Sequence, residues 1–251
     1  MNLKIVFEDA HLLVFYKPAG VPVQSAGIRV KDCESILKNY LHEKMPEKRE
    51  IYLGVVHRLD QPVEGLLVFA KTPEAAAFLG RQSEDGKMKK HYLAVCCVDK
   101  RVHNLQNHGE LCGKHTENVE NMVDKWIEKR DFLRKNGKEN RSEIVRPGTP
   151  GAKKAVLFYQ TLKREGDWEL REIRLQTGRH HQIRVQMAGM GTPLAGDRKY
   201  GIVPSGAENV DNLFPALCAY HLELTHPQTK ERMVFEELPR HPLFSKFLSI
   251  G

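Results

Sequence analysis

The sequence predicts an α+β fold, with a mixed, mostly antiparallel sheet and flanking helices. Apolar runs of strand length recur along the whole chain, helices with recognisable start signals interrupt only some of them, and no regular strand–helix–strand alternation emerges. The first runs, Ile5-Val6-Phe7 and Leu12-Leu13-Val14-Phe15, read as two short strands around a polar turn at Glu8-Asp9-Ala10. Lys17-Pro18-Ala19-Gly20 ends the second, because proline fixes φ and glycine accepts positive φ. From Asp32 to Lys44, the residues Ile36, Leu37, Tyr40 and Leu41 fall at helical spacing behind Asp32 as N-cap.

A strand ending at Gly54-Val55-Val56 runs into His57-Arg58-Leu59-Asp60, and after Gln61-Pro62-Val63-Glu64 a second apolar strand begins at Gly65 and reaches Ala70. Thr72-Pro73-Glu74 then starts a helix with a cap, a first-turn proline and an acid near the positive dipole end. The basic segment Lys87-Met88-Lys89-Lys90-His91 leads into a strand over Tyr92 to Val98. Residues 99–151 are charged and broken by glycine and proline, and read as surface loops with a short helix near Met122 to Leu133. Strands resume at Ala155 to Tyr159 and at Trp168 to Leu175, the latter alternating as a half-buried strand does. Thr177-Gly178-Arg179 turns the chain into a helix over about His180 to Met190. Two further strands (Ala219 to Thr225, Met233 to Glu236) precede an amphipathic end around Leu243 to Leu248.

The 251 residues suffice for a full core and are read as one domain, 1–251, with the irregular charged insertion at about 99–151. Lys+Arg 39 against Asp+Glu 32 leaves a net charge of +7, which suits a polyanionic partner. Five cysteines, odd in number and unevenly placed, argue against a disulfide framework and for a reducing compartment. No apolar run approaches the roughly 20 residues that span a bilayer. Glu8, Asp9 and His11 interrupt the apolar N-terminus where a signal peptide would carry none. A cytoplasmic protein is expected. His103, His108, Cys112 and His115 fall close together, but their spacing matches no zinc pattern, so no metal is assigned. No phosphate-cradling glycine loop or dinucleotide fingerprint is present, and neither ATP nor NAD is implied.

Two strands joined by a charged connection make a rigid mount for one reactive group, and Asp60 stands there between cations. An arbitrary turn aspartate would simply cap backbone amides. Far along the chain, Thr177-Gly178-Arg179-His180-His181-Gln182-Ile183-Arg184 is a basic block in which His181 and Arg184, three apart, share a helix face while Ile183, Met187 and Met190 turn to the core. Together with Lys90-His91-Tyr92-Leu93-Ala94, the Lys17-Pro18-Ala19-Gly20 turn and Gly191-Thr192-Pro193-Leu194-Ala195-Gly196-Asp197-Arg198-Lys199-Tyr200-Gly201, these strings resemble, in order, the signature blocks of the RluA-type RNA pseudouridine synthases.

The resemblance implies the pseudouridine synthase fold with a central active-site cleft, and an isomerase that converts specific uridines of rRNA or tRNA to pseudouridine. It makes Asp60 the catalytic aspartate and Arg184 the cation beside it. Tyr92 becomes the ring that stacks on the extruded uracil. Arg58 is assigned to the RNA duplex or the gap left by the flipped nucleotide. Lys87, Lys89, Lys90, Arg179 and His181 complete the expected RNA contacts. No cofactor and no obligate protein partner are implied. The N-terminal RNA-binding module of many relatives is not expected here. Where the family usually reads Thr-Ser-Gly after the aspartate, this chain reads Val63-Glu64-Gly65, and Glu64 is expected to point away or to pair with a basic neighbour. Two other classes compete: a catalytically idle RNA-binding or chaperone protein on the same fold, and a hydrolase using His57 and Asp60, for which no nucleophile elbow is present.

Overall fold

Alternating and continuous apolar runs become strands wherever they find partners, and the computed structural model shows which do. It describes residues 4–25, 31–98, 125–201 and 214–248. The helix expected from Met122 begins outside those residues, as do the four histidines and cysteines considered for zinc. The chain divides into two units, one of residues 1–91 and 218–239, the other of residues 92–217 and 240–251.

In the first unit, β1 (Lys4–Glu8) and β2 (Leu12–Lys17) form a hairpin, and β2 pairs antiparallel with β4 (Glu64–Ala70) in a register of Tyr16 with Leu66 and Lys17 with Gly65. The short β3 (Gly54–Val55) also lies antiparallel to β4. β10 (Leu217–Thr225) pairs with β4 in parallel at Cys218–Glu64 and Ala219–Gly65, and β11 (Arg232–Glu236) closes onto β10. Both β2 and β4 are buried at every position, as expected of strands covered on both faces. The helices α1 (Cys33–Lys44) and α2 (Pro73–Glu84) start where their caps predict: the Asp32 side chain accepts from Ser35 N–H and that of Thr72 from Ala75 N–H. Ala75 and Leu79 of α2 pack on Leu12, Val14, Leu66, Val68, Leu222 and Leu224.

In the second unit, β5 (Lys89–Cys97, entering at Tyr92), β6 (Ile127–Asn136), β7 (Arg141–Val145), β8 (Lys153–Glu165) and β9 (Trp168–Leu175) are ordered β5-β9-β8-β6-β7. The loops-and-helix reading of residues 125–151 is thus corrected to a β-hairpin. Charge-rich residues 127–136 satisfy a helix on propensity alone, but β6 is held between β7 and β8, and pairing overrides propensity. The hairpin signal was Asn136-Gly137. The Asn136 side chain accepts from the N–H groups of Lys138 and Glu139, and Asn140 takes a φ of 48°.

β9 also departs from the half-buried expectation, for Glu169, Arg171 and Glu172 are buried along with its apolar residues and of its polar residues only Arg174 is exposed. Glu169 is 1% exposed and Arg171 6%, and the two pair at 2.5 Å while Arg171 Nη1 donates to Thr192 Oγ1 at 2.8 Å. Mutual pairing makes that burial tolerable. A helix α3 (Gln182–Gly189) and a short 3-10 helix (Pro242–Lys246) complete the unit.

Gly65 is a glycine on which the close approach of β4 and β10 depends. Its φ is +128°, and a Cβ there would lie 2.4 Å from the Ala219 carbonyl oxygen and 2.5 Å from its nitrogen. Backbone strain and collision act together, so Gly65→Ala is expected to cost about 3 kcal/mol, read as a lowered midpoint in urea unfolding. A midpoint equal to the wild type would show that β4 and β10 do not approach as described.

Candidate functional site

Asp60 opens a hydrogen-bonded turn: Val63 N–H donates to Asp60 O at 3.0 Å, and Leu59, 8% exposed, anchors the segment beneath it. The turn is strapped to the one that ends β2. Gly20 N–H donates to Gln61 O at 2.9 Å, and Gln61 Nε2 returns a bond to Gly20 O at 3.0 Å. Lys17 drives the strap from inside. Its Nζ, with no exposure of the residue to solvent, donates to Pro18 O at 2.9 Å, Val21 O at 2.7 Å and Gln61 O at 2.8 Å. Burial pulls this ammonium down to about 8, against the opposing influence of Cys33, Asp60 and Glu64. Lys17 is therefore a charged neighbour of Asp60, a role that reading the motif as a strand-ending turn missed. The signal available in the sequence was a lysine, and not an apolar residue, closing a strand of continuous apolar character.

Glu64, the residue that departs from the family's pattern, heads β4 and is 5% exposed. The Tyr16 hydroxyl hydrogen-bonds to it, so this carboxylate turns inward to a neutral partner and does not point away as one expectation had it. Burial first, and then Cys218 and Glu64, push the Tyr16 hydroxyl far above its ordinary range, so it remains a proton donor.

His57 docks the strand end that precedes Asp60. Its Nε2 accepts Val68 N–H at 3.3 Å, which leaves the ring proton on Nδ1, an atom shielded from solvent. Burial, followed by the Lys90 charge, holds the ring well below the usual imidazole range. With one nitrogen occupied as an acceptor and the other protonated, this ring offers no base. Arg58 points outward and donates through Nη2 to Gln24 Oε1 at 2.6 Å. Around it lies an open cleft of about 470 Å³ lined by Pro22, Gln24, Ser25, Leu59 and Gln61. Of the other expected RNA contacts in this unit, Lys87 and Lys89 are exposed. Lys90 turns inward, with Nζ 3.3 Å from Ser83 Oγ, and burial lowers its pKa.

In the second unit Tyr92 is 6% exposed on β5, and Arg184 is 5% exposed on α3. Arg184 forms a two-pronged pair with Asp197, Nε to Oδ2 and Nη2 to Oδ1, each at 2.7 Å. Asp197 Oδ1 also accepts the N–H groups of Lys199 and Tyr200 at 2.9 and 3.2 Å, so the carboxylate that fixes the guanidinium is itself fixed. Most of the Thr-Gly-Arg block serves this mounting. Thr177 Oγ1 donates to Gln182 Oε1 at 2.8 Å and accepts Val156 N–H at 2.8 Å, while Gln182 Nε2 donates to Val156 O at 3.1 Å. Arg179 is exposed, with Nε bonded to Lys154 O at 2.9 Å.

His181 lies at the N-cap of α3 in the left-handed region, φ 54°, and not on the helical face shared with Arg184. It stacks on His180 at 3.7 Å between centroids, and its Nδ1 is 2.8 Å from the Tyr200 hydroxyl. Burial and then the Arg184 charge drive His181 down to about 3, so the neutral ring accepts the hydroxyl proton while Tyr200 oxygen accepts Ser142 N–H at 2.6 Å.

No described group of three or more His, Cys, Asp or Glu residues has the arrangement to hold a metal, and no described helix is long and apolar enough to cross a membrane. A strapped aspartate turn in one unit and an anchored arginine helix in the other, on an α+β frame, are features that comparison with known proteins can place. Residues 11–189 match the family model described as RNA pseudouridylate synthase, and the chain belongs to that family. It is 36% identical to the ribosomal large subunit pseudouridine synthase D of Nitrosomonas europaea over 93% of this chain, and 34% identical to the protein of the same name in Pseudomonas aeruginosa over 99%. The chain spans 61% and 70% of the lengths of those two relatives. Among solved structures, Human RNA Pseudouridylate Synthase Domain Containing 4 shares the fold with a TM-score of 0.69 at 21% identity, covering 96% of this chain and 91% of that one.

Tyr200→Phe removes the one hydroxyl that serves both Ser142 and His181 and is expected to cost about 1–3 kcal/mol in denaturant unfolding. A loss within about 0.3 kcal/mol would mean that the hydroxyl bridge adds nothing beyond the ring's packing.

Proposed function

We propose that the protein is an RNA pseudouridine synthase, an isomerase in which Asp60 acts at the ribose of the target uridine. The carrying observation is the Asp60 turn, held against the β2 turn by the buried Lys17 ammonium, in a chain of the RNA pseudouridylate synthase family. The reaction breaks the bond from uracil N1 to ribose C1′, turns the base and rejoins it through C5. Bond order and redox state balance within one nucleotide, so the chemistry calls for no group donor or cofactor. A carboxylate promotes it by attacking the sugar or by taking a sugar proton.

In this reading Arg184 supplies the positive charge that keeps Asp60 ionised during catalysis, and Tyr92 stacks on the extruded uracil. The exposed cations Arg58, Lys87, Lys89 and Arg179 contact RNA phosphates and the opened stack, whereas the inward-turned Lys90 and His181 act by supporting their neighbours. The names of the relatives, ribosomal large subunit pseudouridine synthase D, favour large-subunit rRNA over tRNA as substrate. We place the activity in the cytoplasm and invoke no protein partner.

The idle RNA-binding alternative draws on the Val63-Glu64 departure, and the hydrogen bond from Tyr16 gives Glu64 a structural role compatible with activity. A His57–Asp60 hydrolase is disfavoured because His57 has no free base nitrogen. Tritium release from RNA labelled at uracil C5 tests the proposal. Asp60→Asn should reduce release by at least about 10⁴-fold while melting near the wild-type temperature and binding RNA within about threefold. Release at a tenth of the wild-type rate or more would remove Asp60 from the chemistry.

A further inference from the structure

Arg58 is exposed two positions before Asp60, yet its guanidinium is not left to sample solvent. Nη2 donates to Gln24 Oε1 at 2.6 Å, and the same carboxamide donates through Nε2 to Glu34 Oε2, also at 2.6 Å. A guanidinium only donates and a carboxylate only accepts, so the Gln24 amide has one orientation that satisfies both neighbours. Glu34 is itself fixed. It lies in the first turn of α1, and its Oε1 pairs with Lys38 Nζ at 2.7 Å one helical turn on. Lys38, Glu34, Gln24 and Arg58 thus form an unbroken relay from α1 to the rim of the cleft.

The backbone beneath Gln24 is anchored to the same helix. The opening N–H groups of an α-helix have no partner within it. In α1, those of Cys33 and Glu34 donate to Pro22 O at 2.9 Å and to Val23 O at 3.1 Å. Asp32 caps the helix with Oδ1, on Ser35 N–H, and takes Ser25 N–H with Oδ2 at 2.6 Å. Residues 22–25 are therefore carried by α1. Pro22, Gln24 and Ser25 line the cleft of about 470 Å³ together with Arg58 and with Leu59 and Gln61, the two neighbours of Asp60.

Exposed bonds of this kind add little to stability, because water competes for every partner. Their effect is on freedom. A loose arginine gives up many rotamers when it meets a ligand, and one already held gives up fewer. Pairing with Gln24 does not exhaust the donors of the guanidinium, which carries several N–H groups.

From this relay we infer that Gln24 is a positioning residue, which presets Arg58 at the cleft beside the Asp60 turn for contact with the RNA strand that carries the target uridine. The inference rests on the proposed reading in which Arg58 contacts RNA and Asp60 reacts. A glutamate at position 24 would set its charge against Glu34, and an alanine would reach neither neighbour.

Two measurements on the full chain test it. In protein labelled with ¹⁵N at arginine, heteronuclear relaxation reads the order of Arg58 Nε–H without RNA. Wild-type Arg58 should be restricted, and Gln24→Ala and Glu34→Ala should each release it to the mobility of unpaired surface arginines. The second measurement is tritium release from a transcript of large-subunit rRNA labelled at uracil C5. Gln24→Ala should lower kcat/KM by about 2- to 10-fold while melting near the wild-type temperature, and it should add nothing to the loss caused by Arg58→Ala.

A wild-type Arg58 as mobile as in Gln24→Ala overturns the inference, and so does a double variant whose loss is the product of the two single losses. Arg58→Ala separates the levels. If that variant matches the wild type, the RNA role of Arg58 fails and the inference with it; if it is impaired while Gln24→Ala is not, only the present inference fails. A wild type that releases no tritium overturns the proposed function and everything built on it.

Discussion

A full positive charge shielded from solvent is the constraint on which the first unit is organised. An isolated ammonium in such a place is costly to hold ionised, and the surrounding chain is arranged to offset that cost. Three backbone carbonyls converge on Lys17 Nζ from two turns distant in sequence, and the negative charges of Asp60 and Glu64 favour its protonated form. The Pro18–Val21 turn and the Asp60–Val63 turn are thereby held as one body, further tied by reciprocal bonds between Gly20 and Gln61. A reactive carboxylate on a free loop would lose rate to misplacement; one fixed to a buried charge does not.

The second unit solves the corresponding problem for a guanidinium. Arg184 is buried on a helix of 8 residues, and Asp197 grips it with both oxygens. Around that pair, Tyr200 touches Arg184 through its ring and Ser142 and His181 through its hydroxyl, so the β6–β7 hairpin and α3 share one network. The left-handed His181 stores a modest amount of backbone strain, and the bond to Tyr200 and the stack on His180 hold it there.

Much of this was readable in the sequence and some was not, for identifiable reasons. The caps Asp32 and Thr72 and the strands β2 and β4 follow from local chemistry and are where expected, whereas β8 runs from Lys153 to Glu165, well beyond the expected Ala155 to Tyr159. Residues 127–136 are ambiguous in sequence because charged side chains suit a helix and a solvated strand equally, and only pairing with β8 and β7 decides between them. Lys17 reads in the sequence only as the end of a strand, since nothing local reveals that its ammonium is buried against Gln61 O, 44 positions away. Asp197 was matched as part of a motif, but its grip on Arg184 is a tertiary fact. Asp60 stood out on its flanking residues, and the physical basis of its placement became visible only with the strap.

The central claim, that Asp60 makes this chain a uridine isomerase, is tested most directly by mapping pseudouridines in total RNA from cells lacking the gene. The account predicts at least one site that disappears on deletion, returns with the wild-type gene and does not return with an Asp60→Asn allele expressed to the same level. Restoration of that site by the Asp60→Asn allele would contradict it.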